Sequence, residues 1–132
     1  MEGGFWTKAL DPWSIDYFED KFAKPDPWKY FTSIYERTKY QRQLDIIKDR
    51  NQNPQRILEI GSAEGAQTLL LAAQFPEANI TAIEISSNAL GRAKNNLLQF
   101  ADRIELINAD IAEYEPCIED SFYDVCIWSY TC

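Results

Sequence analysis

The stretch from Leu58 to Ala66 (L-E-I-G-S-A-E-G-A) constrains the fold more than any other part of this chain. Arg56 to Ile60 is a short apolar run that stops at a glycine, which is the pattern of a buried strand. Ala66 to Phe75 is rich in Leu and Ala, the pattern of a helix packed on a sheet, and Pro76 helps to end it. A strand that turns on glycines into a helix opens a parallel βαβ unit with a right-handed crossover. The alternation then repeats. Asn79 to Ile85 (N-I-T-A-I-E-I) is rich in β-branched residues and predicts a second strand. Ser86 or Ser87 caps a helix running to about Phe100, with Ala89, Leu90, Ala93, Leu97 and Leu98 as its apolar face. Ile104 to Ile107 predicts a third strand and Tyr123 to Tyr130 a fourth. The expected class is α/β, built on a parallel sheet.

The first third of the chain differs. Asp11-Pro12-Trp13 recurs as Asp26-Pro27-Trp28, and each is followed by a Tyr-Phe pair, Tyr17-Phe18 and Tyr30-Phe31. These repeats read either as aromatic-anchored turns lying on the core or as an aromatic lid over a ligand. Ser33 and Glu36 fit a capping box, and the helix they start runs to about Arg50 with Tyr40, Leu44 and Ile47 as its buried stripe. Arg37 continues that stripe one turn earlier. Its head either finds a partner there or snorkels to water while the stem packs. The division expected is 1–50 as an aromatic-rich helical lid and 51–132 as a nucleotide-binding unit, together one compact body.

The turn between the first strand and its helix is the candidate ligand site. Gly61 and Gly65 allow a tight bend and close backbone approach, and a helix N-terminus favours electron-rich ligand atoms. The dinucleotide fingerprint wants G-x-G-x-x-G, whereas the spacing here is Gly61-x-Ala63-x-Gly65. Glu59, just before the bend, would repel a pyrophosphate and welcome an ammonium or sulfonium group. A cationic nucleoside is therefore preferred over a nicotinamide dinucleotide. Glu84 ends the second strand, about 20 residues further on, where an acid accepts both hydroxyls of a ribose. Asp110 follows the third strand, where a carboxylate could accept from an exocyclic amine. The plainer reading of Glu84 and Asp110 is strand-end solvation and helix capping.

Composition narrows the classes. With Lys+Arg 13 and Asp+Glu 21, the formal net charge of −8 argues against a nucleic-acid partner and an anionic membrane surface. No apolar run approaches a membrane span, and Met1 to Trp13 does not read as a signal peptide. Cys117, Cys126 and Cys132 make neither a disulfide framework nor a zinc spacing, so a reducing, cytoplasmic setting without a metal is expected. The absence of His removes the commonest general base.

Leu58 to Thr68 (L-E-I-G-S-A-E-G-A-Q-T) resembles motif I of the class I S-adenosylmethionine-dependent methyltransferases. With Asp26-Pro27-Trp28-Lys29-Tyr30 and Tyr35-Glu36-Arg37-Thr38-Lys39-Tyr40, the chain is similar to the nodulation protein S (NodS-like) branch, from about Tyr17 to Ser129. The resemblance implies a Rossmann-like fold, S-adenosyl-L-methionine as cofactor and a small-molecule methyl acceptor, methylated at nitrogen. Carried over by position, Gly61, Ala63 and Gly65 would lie under the methionine part, with Glu59 facing its amino-acid end. Glu84 would hold the ribose, Ile85 would pack near the adenine, and Asp110 and Ile111 would contact the base. Trp28 and Arg37 would belong to the lid, with Arg37 set against the cofactor carboxylate. An amine acceptor must be neutral to attack, and a carboxylate or backbone carbonyl could take its proton.

The family fold has seven strands ordered 3-2-1-4-5-7-6, of which this sequence holds 3-2-1-4. Val125 to Trp128 is suited to burial on both faces, yet it would be an edge here, which is a docking liability. An acidic residue commonly follows the Ser of this strand in the family, whereas Tyr130 follows Ser129. Three expectations remain open: a truncated methyltransferase, one piece of a split or self-associating enzyme, or a cofactor-binding remnant without turnover; the rival from another class is a non-catalytic module that docks a partner through the strand 4 edge.

Overall fold

The computed structural model describes residues 15–26, 33–113 and 122–128. Four short strands, β1 (Arg56–Ile60), β2 (Asn79–Glu84), β3 (Ile104–Asn108) and β4 (Val125–Trp128), form one sheet in the order β3-β2-β1-β4. Every pairing is parallel, as the alternation of strands and helices requires. Ile60 pairs with Ile83 and Glu84 with Asn108, so the carboxyl ends of β1, β2 and β3 come out side by side.

Alternation along the strands divides the core between the two faces of the sheet. Ile57, Ile80 and Ile127 pack with Leu71 of α3 (Ala66–Gln74), with Phe75 just past its end and with Leu44 of α2 (Ile34–Arg50). Leu58, Ile60 and Ile83 form the opposite layer with Ile107 and Tyr123. In α2 the Ser33 hydroxyl accepts the Glu36 N–H at 3.3 Å, and Tyr40 and Leu44 are buried with Ile47 half-buried. The stripe does not extend inward to Arg37, which is exposed.

Two further expectations are corrected. The helix after β2, α4 (Ser87–Asn96), stops short of Phe100 and gives way to a 3-10 stretch, Leu98–Arg103. The Arg103 guanidinium fastens that stretch to the end of α3 through the carbonyls of Ala72, Phe75 and Ala78 at 2.8, 3.2 and 2.7 Å. Leu98 consequently turns outward and is 68% exposed. In β4 only Ile127 is buried, and Trp128 is exposed. The pattern follows the strand's period of two: Val125 and Ile127 face the layer of Ile57 and Ile80, and Cys126 and Trp128 face the other way and are exposed.

Of the N-terminal third, α1 (Ile15–Lys21) and the turn after it are described. Phe18 and Phe22 are buried against Tyr40, Ala63, Ala66, Ile85 and Ala89. Phe18 therefore anchors the segment to the core and to the glycine bend at once. Most of the two D-P-W repeats, Trp28 included, lies outside the described residues. Among the described residues no helix is long and apolar enough to cross a membrane.

Candidate functional site

The bend after β1 is held by hydrogen bonds that reach across to β2. The amides of Gly61 and Ser62 donate to the Ile83 carbonyl at 2.8 and 3.2 Å, which hooks the loop over the end of the neighbouring strand. Three of its residues have positive φ: Gly61 (82°), Ala63 (53°) and Gly65 (94°). Glycine takes this conformation freely, whereas Ala63 pays strain on the order of 1 kcal/mol and needs surroundings that hold it there. Glu84 supplies them. Its Oε1 accepts the Ala63 N–H at 2.7 Å and its Oε2 accepts the Ser86 N–H at 2.9 Å. One carboxylate thus clamps the two loops that leave β1 and β2.

Glu84 is 4% exposed. Burial pushes its carboxyl up to about 7, against the opposing pull of the Ser86, Ala63 and Ile85 backbone donors, with the nearby Glu19 charge raising it further. The end of β3 is tied to the same place, since Asn108 Nδ2 donates to the carbonyls of Glu84 and Ile85 at 2.9 and 3.1 Å. Asp110 follows, half-buried, and its Oδ1 accepts the Ala112 N–H at 3.0 Å. Asp110 therefore does cap the short 3-10 turn Ile111–Glu113, as its plainer reading held.

The remaining predicted residues fall in different places. Gly61, Ala63, Gly65 and Glu84 are brought together directly. Glu59 is fully buried, and the Thr68 hydroxyl of α3 donates to it. It stands beneath the loop, out of contact with solvent. Ile85 is buried in the layer shared with Phe18, Phe22 and Tyr40, and Ile111 packs half-buried against Leu58, Ile60 and Ile83. Tyr40 lies in the cluster of Ala63 and Ala66, and Arg37 stands one turn earlier in α2, exposed.

Three residues in this region were not foreseen from the sequence: Glu19, Glu64 and Arg92. Glu19 sits at the N-terminus of α4, where it receives the hydroxyls of Ser86 and Ser87 and the Asn88 N–H. Burial works against its ionised form, but those donors and the Ser87 backbone outweigh it and hold the carboxyl below the usual range. Glu64, only 2% exposed, pairs with Arg92 at 3.0 Å. All their partners are distant along the chain, so no local spacing announces them.

The residues present fit a nucleoside with a charged amino-acid end. The Ser62 hydroxyl is buried without a partner among the described residues, at the mouth of the bend. Such an orphaned donor is a place for a ligand's polar atom. A carboxylate has about four acceptor positions, so Glu84 retains capacity for a ligand hydroxyl beyond its Ser86, Ala63 and Ile85 backbone donors.

Known proteins agree with this geometry. A family model described as a methyltransferase domain matches residues 57–132. A solved N-methyltransferase NodS from Bradyrhizobium japonicum, in complex with S-adenosyl-L-homocysteine, superposes with a TM-score of 0.70 at 25% identity, covering 85% of this chain and 54% of that one. A tRNA1(Val) (adenine(37)-N6)-methyltransferase of Vibrio campbellii is 40% identical over 63 residues, which is 46% of this chain and 26% of that protein. A malonyl-[acyl-carrier protein] O-methyltransferase of Geobacter sulfurreducens is 31% identical over 69% of this chain and 33% of that protein. The chain spans a third or less of these curated relatives, and their acceptors are dissimilar. The presence of a tRNA methyltransferase among them leaves the expected exclusion of nucleic acid without support. The shared portion is the strand–glycine–helix unit and its neighbours, and the chain belongs to the methyltransferase domain family, whose cofactor is S-adenosyl-L-methionine.

Proposed function

We propose that this chain is the cofactor-binding part of an S-adenosyl-L-methionine-dependent methyltransferase that acts at nitrogen on a small molecule, within the NodS-like branch. The observation that carries the reading is the Glu84 clamp, a buried carboxylate at the end of β2 that sets the glycine bend and that we assign to the ribose diol. Gly61, Ala63 and Gly65 would lie under the methionine part, the Ser62 hydroxyl would meet a polar atom of its amino-acid end, and Arg37 would face its carboxylate. Asp110 and Ile111 would border the adenine, with Ile85 supporting the floor. The cofactor supplies a methyl group already activated on a sulfonium, so the chain's own work is binding and alignment. The −8 charge favours a small acceptor over RNA, because phosphate contact needs a basic surface.

The test is calorimetric titration of S-adenosyl-L-homocysteine and of NADH into the purified chain, followed by transfer of labelled methyl from S-adenosyl-L-methionine to a panel of small primary amines and to bulk tRNA. Binding of the homocysteine nucleoside with label on an amine supports the reading. Binding of NADH alone overturns the cofactor site, and label on tRNA overturns the acceptor class.

Affinity should also depend on pH. A ribose diol donates to an ionised carboxylate, and Glu84 titrates near 7 in the free protein. At pH 6 only about a tenth of it is ionised and at pH 8 about nine tenths, so affinity should rise about tenfold across that interval. Glu84→Gln should flatten the profile. A wild-type Kd that stays constant from pH 6 to 8 would show that the diol is held elsewhere.

A further inference from the structure

Residues 22–26, which follow α1, run between the glycine bend and α4. Arg92 of α4 holds them by their backbone. Its Nη1 donates to the Phe22 carbonyl at 2.6 Å and to the Lys24 carbonyl at 3.3 Å, and its Nη2 donates to the Ala23 carbonyl at 3.2 Å. The same guanidinium pairs with Glu64, the residue between Ala63 and Gly65. Glu64 in turn accepts the Asp26 N–H on both oxygens, at 2.7 and 2.9 Å. Asn96 Nδ2 donates to the Glu64 carbonyl at 2.9 Å, so side chain and backbone of Glu64 are both fixed from α4 or the strap. Asp26 itself has φ 47°, a left-handed conformation that a non-glycine residue keeps only when its surroundings impose it. The helix that leads into this strap, α1, carries a second bridge: Glu19 caps α4 beside Ser86, whose amide belongs to the Glu84 clamp.

The strap and α1 thus bridge both loops of the crevice, and each bridge ends on a residue adjacent to a cofactor-facing one. We propose that Arg92 and Glu64 are positioning residues of the cofactor site: their ion pair fastens residues 22–26 to the glycine bend, and this sets how slowly a bound nucleoside leaves. The inference rests on the cofactor reading above. Neither side chain needs to touch the ligand. A buried carboxylate and a planar five-donor fork make this fixation specific, because a lysine cannot serve three carbonyls and a carboxylate at once. The pair also carries a penalty for failure, since removing Arg92 leaves Glu64 buried without its countercharge.

The experiment measures the dissociation rate of S-adenosyl-L-homocysteine from the full chain and from Arg92→Ala, Arg92→Lys and Glu64→Gln, with amide hydrogen exchange recorded without ligand. Arg92→Ala should speed dissociation about tenfold or more and raise exchange in residues 22–26 and 61–65 together, while amides of β1 and β2 stay protected. Arg92→Lys should recover part of the loss, and Glu64→Gln should fall between it and the wild type. A dissociation rate unchanged within twofold in Arg92→Ala overturns the positioning role while leaving the cofactor reading intact. Exchange rising across the whole sheet would also overturn it, because the pair would then serve global stability. Absence of wild-type binding overturns the cofactor reading and, with it, this one.

Discussion

Glu84→Ala should lower affinity for S-adenosyl-L-homocysteine at least a hundredfold at pH 8, measured by calorimetry. Two effects add. On the proposed cofactor reading the carboxylate accepts the hydroxyls of a ribose, and each charge-assisted bond contributes roughly 1.5–3 kcal/mol. Two of them give about 3 kcal/mol or more, which is over two orders of magnitude in Kd. The same substitution leaves the amides of Ala63 and Ser86 without their acceptor, so the bend loses the constraint that keeps Ala63 at positive φ. Glu84→Gln separates the two effects. It retains the size and one acceptor but presents an NH2 where one of the clamped amides or a hydroxyl needs an oxygen. Its affinity should therefore lie between the wild type and the alanine variant. An alanine variant that binds within threefold of the wild type would remove Glu84 from the site and with it the main support for the crevice.

The legible part of this chain was the part whose information is local. A strand that ends on Gly61, a helix that begins at Ala66 and a β-branched run ending on Glu84 are each short-range patterns, and a parallel sheet follows from their alternation. The order β3-β2-β1-β4 came from the family resemblance, and the pairing agrees with it. The helix after β2 was read too long because Leu97 and Leu98 continue its apolar pattern. Nothing local reports that Arg103 reaches back to the carbonyls closing α3 and turns Leu98 outward. Arg37 was read correctly as lying on the Tyr40 line, yet that line leaves the core before reaching it. The site divides in the same way. Gly61, Gly65 and Glu84 stand at positions that any βαβ nucleotide fold assigns by spacing. Glu64 and Arg92 matter because of partners brought together only by folding, and such pairs have no signature in a single sequence. Glu59 shows a third case, in which the place on the strand is legible and the partner is not: the Thr68 hydroxyl of α3 donates to its buried carboxylate.

Gly65 and Gly91 should respond oppositely to the same substitution. Gly65 has φ 94°, which an alanine adopts at a cost of about 1–2 kcal/mol. An added Cβ would also stand 2.9 Å from Leu97 Cδ1 and 3.1 Å from its Cγ. The far end of a leucine can often move aside, but Leu97 is 2% exposed and closes the end of α4, so the crowding adds roughly 1–2 kcal/mol. Gly65→Ala should therefore destabilise by about 2–4 kcal/mol in urea denaturation and weaken cofactor binding, since the bend must shift. Gly91 sits on the exposed side of α4 with nothing within 4 Å of an added Cβ. There alanine gains helix propensity and restricts the unfolded chain, which is worth about 0.5–1 kcal/mol of added stability. The two causes at Gly65 can be separated by combining it with Leu97→Ala, which empties the space the Cβ would enter. The double variant should be more stable than the sum of the single losses by about 1–2 kcal/mol, the residual cost of Gly65→Ala being its backbone strain. Strict additivity would assign the whole effect to φ, and a neutral Gly65→Ala would mean that the bend does not need its glycine.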